Sequence, residues 1–368
     1  MALKKLLPLL YFFKRQVSNS KLWLSIRLGL VKKAKIQPYL GFGSGREIYL
    51  AGRVLEDKGI APANEEDGFK ENFRSMRKRF LTVIFPGLDI RLVWGEEEFL
   101  AKTDEEGYFE FRFSPMKKPE SGWNSLSLSL PKPPIRKQEQ VEASGWIYVP
   151  SEKADFGIIS DIDDTIVPTG ATRLWDMLKT TFANNAHTRI PFAGVAALYD
   201  ALRKGSDGED SNPIFYVSSS PWNLYDFLQE LMAVHQIPRG PLMLRDLGLS
   251  RDQFIAGSHW DHKLKQAKHI LSAYPDLPFI LIGDSGQKDP EIYLEICRDF
   301  PGRIQGVYIR AVADRDLSKL QGDYKILDVP FLLMKDSLDA SRHDAGMGWI
   351  LEEDQRTILR QKLQDEAS

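Results

Sequence analysis

Asp161 and Asp163 stand where a short apolar run, Phe156-Gly157-Ile158-Ile159-Ser160, gives way to a loop punctuated by Pro168 and Gly170. The run has the length and β-branched content of a buried strand. In extended backbone, residues i and i+2 point to the same side. Both carboxylates can therefore face one pocket at the carboxyl end of a sheet, where open α/β folds bind ligands. Two close carboxylates repel unless they share a proton or a cation, and a divalent metal with oxygen ligands is the natural solution. A calcium loop is excluded by spacing, since Ile166 stands at its sixth position and Thr172 at its twelfth. An aspartic-protease site is excluded because Ile166, not Gly, follows Asp164-Thr165. A solvated acidic loop remains the plain alternative for the motif taken alone.

Three further signals follow in order. Ile214-Phe215-Tyr216-Val217 reads as a second buried strand and ends in Ser218-Ser219-Ser220-Pro221. The Ser218 hydroxyl, at the strand end, can donate to a phosphoryl oxygen, while Ser220 reads as the cap of a helix starting near Pro221. Lys263 precedes a helical pattern through Ala267, Ile270 and Leu271, with Lys265 as its rival. Phe279-Ile280-Leu281-Ile282 reads as a third strand, followed by Gly283-Asp284 and, after four residues, Asp289. The stretch Asp161-Ile162-Asp163-Asp164-Thr165 resembles motif one, D-x-D-x-T, of the haloacid dehalogenase superfamily, and the three later signals resemble its motifs two to four.

The resemblance narrows on Val217-Ser218-Ser219-Ser220-Pro221-Trp222-Asn223-Leu224-Tyr225, Arg239-Gly240-Pro241, Leu244-Arg245-Asp246 and Gly283-Asp284-Ser285-Gly286-Gln287-Lys288-Asp289-Pro290-Glu291-Ile292-Tyr293. About residues 140–315 are similar to the catalytic domain of the phosphatidate phosphatases first described with yeast actin patches. Ser219 departs from the Asn frequent in that family. The resemblance implies a Rossmannoid parallel sheet with helices on both faces and a Mg²⁺-dependent phosphomonoesterase that converts phosphatidate to diacylglycerol and phosphate. It implies Asp161 as nucleophile, forming an aspartyl-phosphate, and Asp163 as general acid and then base. Mg²⁺ would be held by Asp161, the backbone carbonyl of Asp163 and Asp284, with Asp289 bound directly or one step removed. Ser218 and Lys263 would hold the phosphoryl group. Thr165 and Ser219 are candidate substrate contacts, Thr165 equally a residue that shapes the loop. Arg245 is a second substrate contact or half of a structural ion pair. The alternatives are a phosphatase of soluble phosphomonoesters and a catalytically silent membrane-associated scaffold.

The charge balance asks for no nucleic acid: the formal net charge is −2, and 43% hydrophobic with 27% charged residues are globular values. A lone cysteine, Cys297, excludes an internal disulfide and fits a reducing cytoplasm. The charges are unevenly placed. Lys4, Lys5, Lys14, Arg15, Lys21, Arg27, Lys32, Lys33 and Lys35 precede the first acid, Glu47, interleaved with Leu, Phe, Tyr and Trp. No uncharged apolar run there approaches the roughly 20 residues of a membrane span, and no leader is expected. The stretch reads either as an interfacial arm for anionic membranes, making the protein peripheral, or as a helical hairpin with solvated lysines.

These signals divide the chain into a basic arm (1–40), a β-rich accessory domain (41–150), the phosphatase domain (151–335) and a helical tail (336–368). Short alternating runs, among them Leu81–Phe85, Ile90–Trp94, Tyr108–Phe113 and Leu126–Leu130, suggest a small antiparallel sandwich in the second segment. Asn64–Lys78 reads as a charged helix or inserted loop. Gly41-Phe42-Gly43-Ser44-Gly45 is no dinucleotide site, because a strand-like run follows where a helix is required. From Ala154 strands and helices alternate, the mark of a parallel sheet. Much of 169–212 reads as helical, and Pro221–His262 as a modest cover over the site.

Overall fold

The protein is described by a computed structural model over residues 24–62, 69–135, 138–168, 190–209, 211–246 and 259–367. Most of the basic arm, residues 1–23, lies outside these residues, as do 169–189 and the 247–258 part of the expected cover.

Fourteen described strands form two sheets. The first gathers β1 (Ala34–Pro38), β2 (Gly41–Gly43), β3 (Ile48–Glu56), β4 (Asp89–Trp94), β5 (Glu97–Lys102), β6 (Tyr108–Phe113), β7 (Gly122–Leu130) and β8 (Val141–Val149). It is antiparallel except where β2 runs parallel to β8. Alternation does the folding work. In β6, Phe109 and Phe111 are buried while the alternating Glu110 and Arg112 face out. The inward residues, with Ile48, Leu50, Ile90, Leu92, Leu126, Leu128 and Ile147, make one core. The ends of the sheet approach each other, with the Phe99 ring of β5 stacked on Phe113 of β6 at 3.8 Å. The turn at Asp104-Glu105-Glu106-Gly107 forms as its residues require: Asp104 Oδ1 accepts from the Glu106 and Tyr108 N–H, and Gly107 takes φ 78°.

Between β3 and β4 lies helix α1 (Phe69–Phe80). Leu81–Phe85, read from sequence as a strand, is none: one isolated bridge joins Ile84 to Leu55. The Leu81 N–H donates to the Arg77 carbonyl and Thr82 Oγ1 to the Lys78 carbonyl, so the first two residues of the run close the helix instead of pairing with a strand.

The second sheet is wholly parallel: β9 (Gly157–Ser160), β10 (Ile214–Pro221), β11 (Leu242–Arg245), β12 (Phe279–Asp284), β13 (Ile304–Arg310) and β14 (Phe331–Met334). Its spatial order is β11-β10-β9-β12-β13-β14. The chain works outward from β9 to one edge, then returns and works outward from β12 to the other. The order reverses between β9 and β12, and a crevice opens there at the carboxyl ends. Successive residues serve opposite faces. Ile158, Ile280, Ile282, Ile214 and Tyr216 join one core with α2 (Val195–Lys204) and α3 (Tyr225–Val234). Ile159, Leu281, Phe215 and Val217 join the other with α4 (His259–Ala273) and α5 (Asp289–Asp299). Helix α6 (Ser318–Ile326) precedes β14, and α7 (Ser337–Gly346) and α8 (Glu352–Ala367) follow it. Helix α8 completes the first layer: Ile358 is fully buried, and Asp365 and Gln361 accept from the Gly194 and Ala197 N–H groups at the start of α2.

The two units are docked. Tyr39 stacks on Trp222 at 4.0 Å, the Leu40 N–H donates to Tyr225 Oη at 2.7 Å, and Tyr274 Oη donates to the Gly43 carbonyl at 3.0 Å. His269 Nε2 lies 2.8 Å from Glu47 Oε1, and the Arg239 guanidinium sits 4.2 Å over Trp123.

Because Ile358 is the buried residue of α8, Ile358→Ala should lower the unfolding free energy by about 2–4 kcal/mol. Urea denaturation followed by circular dichroism measures it; a loss under about 0.5 kcal/mol would mean that α8 is an appendage.

Candidate active site

The carboxyl ends of β9 and β12 carry the charged residues. The Asp161 N–H donates to the Ile282 carbonyl at 2.9 Å, so the backbone pairing of these strands fixes the first carboxylate. The chain then turns tightly: the Ile166 N–H returns to the Ile162 carbonyl, the Asp164 N–H to the Val167 carbonyl, and Asp164 takes the left-handed φ of 59° that a short polar side chain tolerates. At β12, the N–H groups of Gly286 and Gln287 both donate to Asp284 Oδ1, at 2.7 and 2.9 Å. Asp289, in the first turn of α5, accepts from the Asp284 N–H at 3.2 Å. This approach needs Gly283, where a Cβ would stand 2.6 Å from Asp289 Oδ2.

Lys263 enters from the second turn of α4. Its ammonium lies 2.5 Å from Asp289 Oδ1 and 3.1 Å from Asp161 Oδ2, with all three side chains buried. Lys265 points to solvent. One oxygen each of Asp161, Asp284 and Asp289 can be taken so that all lie within 4.8 Å of one another, a spacing that could hold a metal ion. Asp161 Oδ1 and Asp284 Oδ2 are buried without a hydrogen-bond partner. Three carboxylates against one ammonium leave two negative charges in excess, which a divalent cation with oxygen ligands would neutralise. The donor set therefore fits such an ion.

The electrostatics carry the same signature. Burial drives the Asp161 carboxyl well above the usual carboxylate range; Lys263 opposes this, while Asp289, Asp284 and Asp163 add to it. Burial, then Asp289, pushes Asp284 up to about 7, against the pull of Lys263 and of the two loop N–H groups. Burial disfavours the Lys263 ammonium, yet Asp161, Asp289 and Asp284 outweigh it and hold its pKa above that of a free lysine.

Asp163 faces a different set of partners. Its Oδ2 accepts from Ser218 Oγ at 2.9 Å and Ser220 Oγ at 2.7 Å. The Ser218 hydroxyl, expected on a phosphoryl oxygen, here holds a carboxylate. Ser220, expected as a helix cap, does so too, and the turn Trp222–Leu224 that follows has no side-chain cap. The signal was available: residues 218 and 220 share one face of a strand. Thr165 Oγ1 and Ser219 Oγ are buried hydroxyls with no hydrogen-bond partner among the described residues. Arg245 ends β11, where partial burial lowers its pKa against the charge of Asp246. Two residues were not foreseen. The His262 imidazole is pushed down to about 4, first by burial and then by Arg245 and Lys263, so it is neutral beside the site. The Arg310 guanidinium at the end of β13 is buried and donates to the Thr165 carbonyl at 2.9 Å, bracing the turn from behind.

A doubly wound sheet thus carries clustered carboxylates and a buried lysine at its switch point, in the crevice where such sheets bind ligands. In the sequence comparisons, residues 156–311 match the family described as phosphatidate phosphatase APP1, catalytic domain. Phosphatidate phosphatase APP1 of Saccharomyces cerevisiae is 33% identical over 159 residues, 43% of this chain and 26% of that protein. An uncharacterized protein of Schizosaccharomyces pombe is 27% identical over 166 residues, 44% of this chain and 26% of its own length. The match thus spans about a quarter of each curated relative. Among solved structures, a carbohydrate acetylesterase from Xanthomonas citri aligns over 84% of this chain and 76% of its own at 10% identity, with a TM-score of 0.26. No described helix is long and apolar enough to cross a membrane.

The raised Asp284 pKa has a thermodynamic consequence. Between the ordinary carboxylate pKa and about 7, the folded protein holds a proton that the unfolded chain has released, so stability falls as pH rises through this window. Chelator-treated protein should lose thermal stability from about pH 4 to about pH 7, and millimolar Mg²⁺ should restore more of it at the higher pH, where no proton competes. Asp284→Asn should flatten both dependences in differential scanning calorimetry. An unchanged pH profile in this variant would dissociate the carboxyl from the effect.

Proposed function

We propose that this chain is a Mg²⁺-dependent phosphomonoesterase that hydrolyses phosphatidate to diacylglycerol and phosphate through an aspartyl-phosphate on Asp161. The observation that carries this reading is the buried arrangement of Asp161, Lys263, Asp289 and Asp284 at the β9–β12 switch point, inside the segment that matches the phosphatidate phosphatase catalytic family. The sheet is then of the haloacid dehalogenase type, the first unit a sandwich-like accessory domain, and the protein cytoplasmic and peripheral on membranes.

The chain's own residues supply the steps. Lys263 holds Asp161 Oδ2, which leaves Oδ1, free of hydrogen bonds, to attack phosphorus. Asp163, oriented by Ser218 and Ser220, gives a proton to the departing glycerol oxygen as the phosphorus–oxygen bond breaks. The same carboxylate then takes a proton from the water that cleaves the aspartyl-phosphate, which returns Asp161 and releases phosphate. Thr165 and Ser219 bring hydroxyl donors to the phosphoryl oxygens. Mg²⁺, held by Asp161, Asp284, the Asp163 carbonyl and Asp289, would neutralise charge on the phosphoryl group.

Asp161→Asn should lower phosphate release at least ~10³-fold while the fold persists. Asp163→Asn should be severely impaired with alkyl esters and partly rescued by an aryl ester whose leaving group needs no proton. Near-normal turnover by a folded Asp161→Asn protein would end the covalent mechanism, and equal impairment with both ester types would remove the acid role from Asp163. Phosphate release from phosphatidate in mixed micelles, set against soluble phosphomonoesters, tests the substrate; a preference for the soluble esters would overturn the lipid.

Asp284→Ala should abolish turnover or raise the Mg²⁺ concentration needed for it, because a carboxylate beside Asp161 is lost. A metal titration of activity reads this directly. Full activity of the parent protein in excess chelator would refute the metal requirement.

A further inference from the structure

Helix α1 presents two unlike faces. Asn72, Met76 and Arg79 are buried. Arg79 turns inward, 3.0 Å from Asp226 and 4.0 Å from Glu230 of α3. Lys70, Phe73, Arg74, Arg77 and Leu81 follow the i, i+3, i+4, i+7, i+11 spacing of a single helical stripe, and all five are exposed, Phe73 at 46% and Leu81 at 63%. None of Lys70, Arg74 and Arg77 forms an ion pair among the described residues. Lys70 with Arg74, and Arg74 with Arg77, set like charges at helical-neighbour spacing, which disfavours the helix by a few tenths of a kcal/mol per pair. The helix is kept by its inner face, and its outer face is left cationic and partly apolar.

The position of the stripe matters as much as its charge. Asn223 Nδ2 donates to the Arg79 carbonyl at 3.1 Å, so the last turn of α1 is fixed to the segment that leaves β10. Three residues earlier on that segment, Ser220 holds Asp163. The helix therefore flanks the carboxyl edge of the parallel sheet, where the candidate active site opens.

We propose that the Lys70–Leu81 face of α1 docks the protein on an anionic lipid surface and brings the mouth of the site to it. The inference rests on the phosphatidate reading of that site: the substrate is itself an anionic lipid, so a surface holding it is negatively charged. Three cations unpaired among the described residues match that charge, and Leu81 enters the boundary between headgroups and chains.

The test uses the full chain and vesicles of phosphatidylcholine with or without phosphatidylserine. The parent should sediment with the anionic vesicles, and less so as salt rises. Lys70→Gln/Arg74→Gln/Arg77→Gln should bind them at least ~10-fold more weakly, with an unchanged melting temperature. Leu81→Ser should lose the salt-resistant part of binding. Both variants should turn over a soluble aryl phosphate within about twofold of the parent. Unchanged vesicle binding by the triple variant would overturn the proposal, as would parent protein that ignores anionic vesicles or that binds polyglutamate instead, the sign of an acidic protein partner. Parallel loss of soluble-ester turnover would reassign α1 to support of the site. If the parent hydrolyses no phosphatidate in micelles yet binds vesicles through this stripe, the substrate reading fails and the docking surface stands.

Discussion

The ion pair between Lys263 and the carboxylates of Asp161 and Asp289 is the constraint around which the second unit is arranged. Three acids cannot be withdrawn from water at this density without compensation. One ammonium supplies part of it, and burial together with the neighbouring carboxylates still holds the Asp161 and Asp284 pKa values up. Each member comes from a different element: Asp161 from the end of β9, Asp284 from the end of β12, Asp289 from the start of α5, Lys263 from the second turn of α4. The adjacency of β9 and β12 is therefore as much a requirement of the charge cluster as of the sheet. The local backbone serves the same end. Gly283 makes room for Asp289, and the loop N–H groups hold Asp284 while leaving its Oδ2 open.

Around this centre two kinds of support differ in character. Asp161 is held by charge, and Asp163, two residues on, is held by neutral hydroxyls. The division gives two nearby carboxylates different environments, the usual means by which one site separates a nucleophile from a proton carrier. The first unit is bound firmly to this frame through Tyr39, Leu40, Gly43 and Glu47, which meet Trp222, Tyr225, Tyr274 and His269. Its contacts fall largely on α3, α4 and the segment before α3, so it braces helices that carry or adjoin functional residues.

Much of this was legible in the sequence, and the reason is local. A run such as Phe279-Ile280-Leu281-Ile282 declares a buried strand, and the acids after it must lie at that strand's end. Thus Asp161, Asp163, Asp284 and Asp289 could be placed at one sheet edge without coordinates. Lys263 and Lys265 could not be separated, because two residues on a helix differ by more than half a turn and the sequence does not say which side faces the acids. Ser220 was read as a cap because a helix start lay nearby; its partner Asp163 is far away in sequence. Leu81–Phe85 has strand composition, but Leu81 and Thr82 bond back to the last turn of the helix before it. The parallel pairing of β2 with β8 and the approach of β5 to β6 depend on long-range register that no local pattern encodes.

The order of strands across the parallel sheet also sets a timetable. The chain leaving synthesis first completes β9, β10 and β11, which carry Asp161, Asp163, Ser218 and Ser220. At that stage the partners that neutralise Asp161 are still unmade, and β9 has a bare edge where β12 will sit. Non-local pairing of this kind is slow to form. The nascent half-domain therefore exposes a sticky strand edge and an uncompensated acid together. The acid works against the hazard of the edge, since a charge at a strand's end discourages pairing with another chain until the intended neighbour arrives.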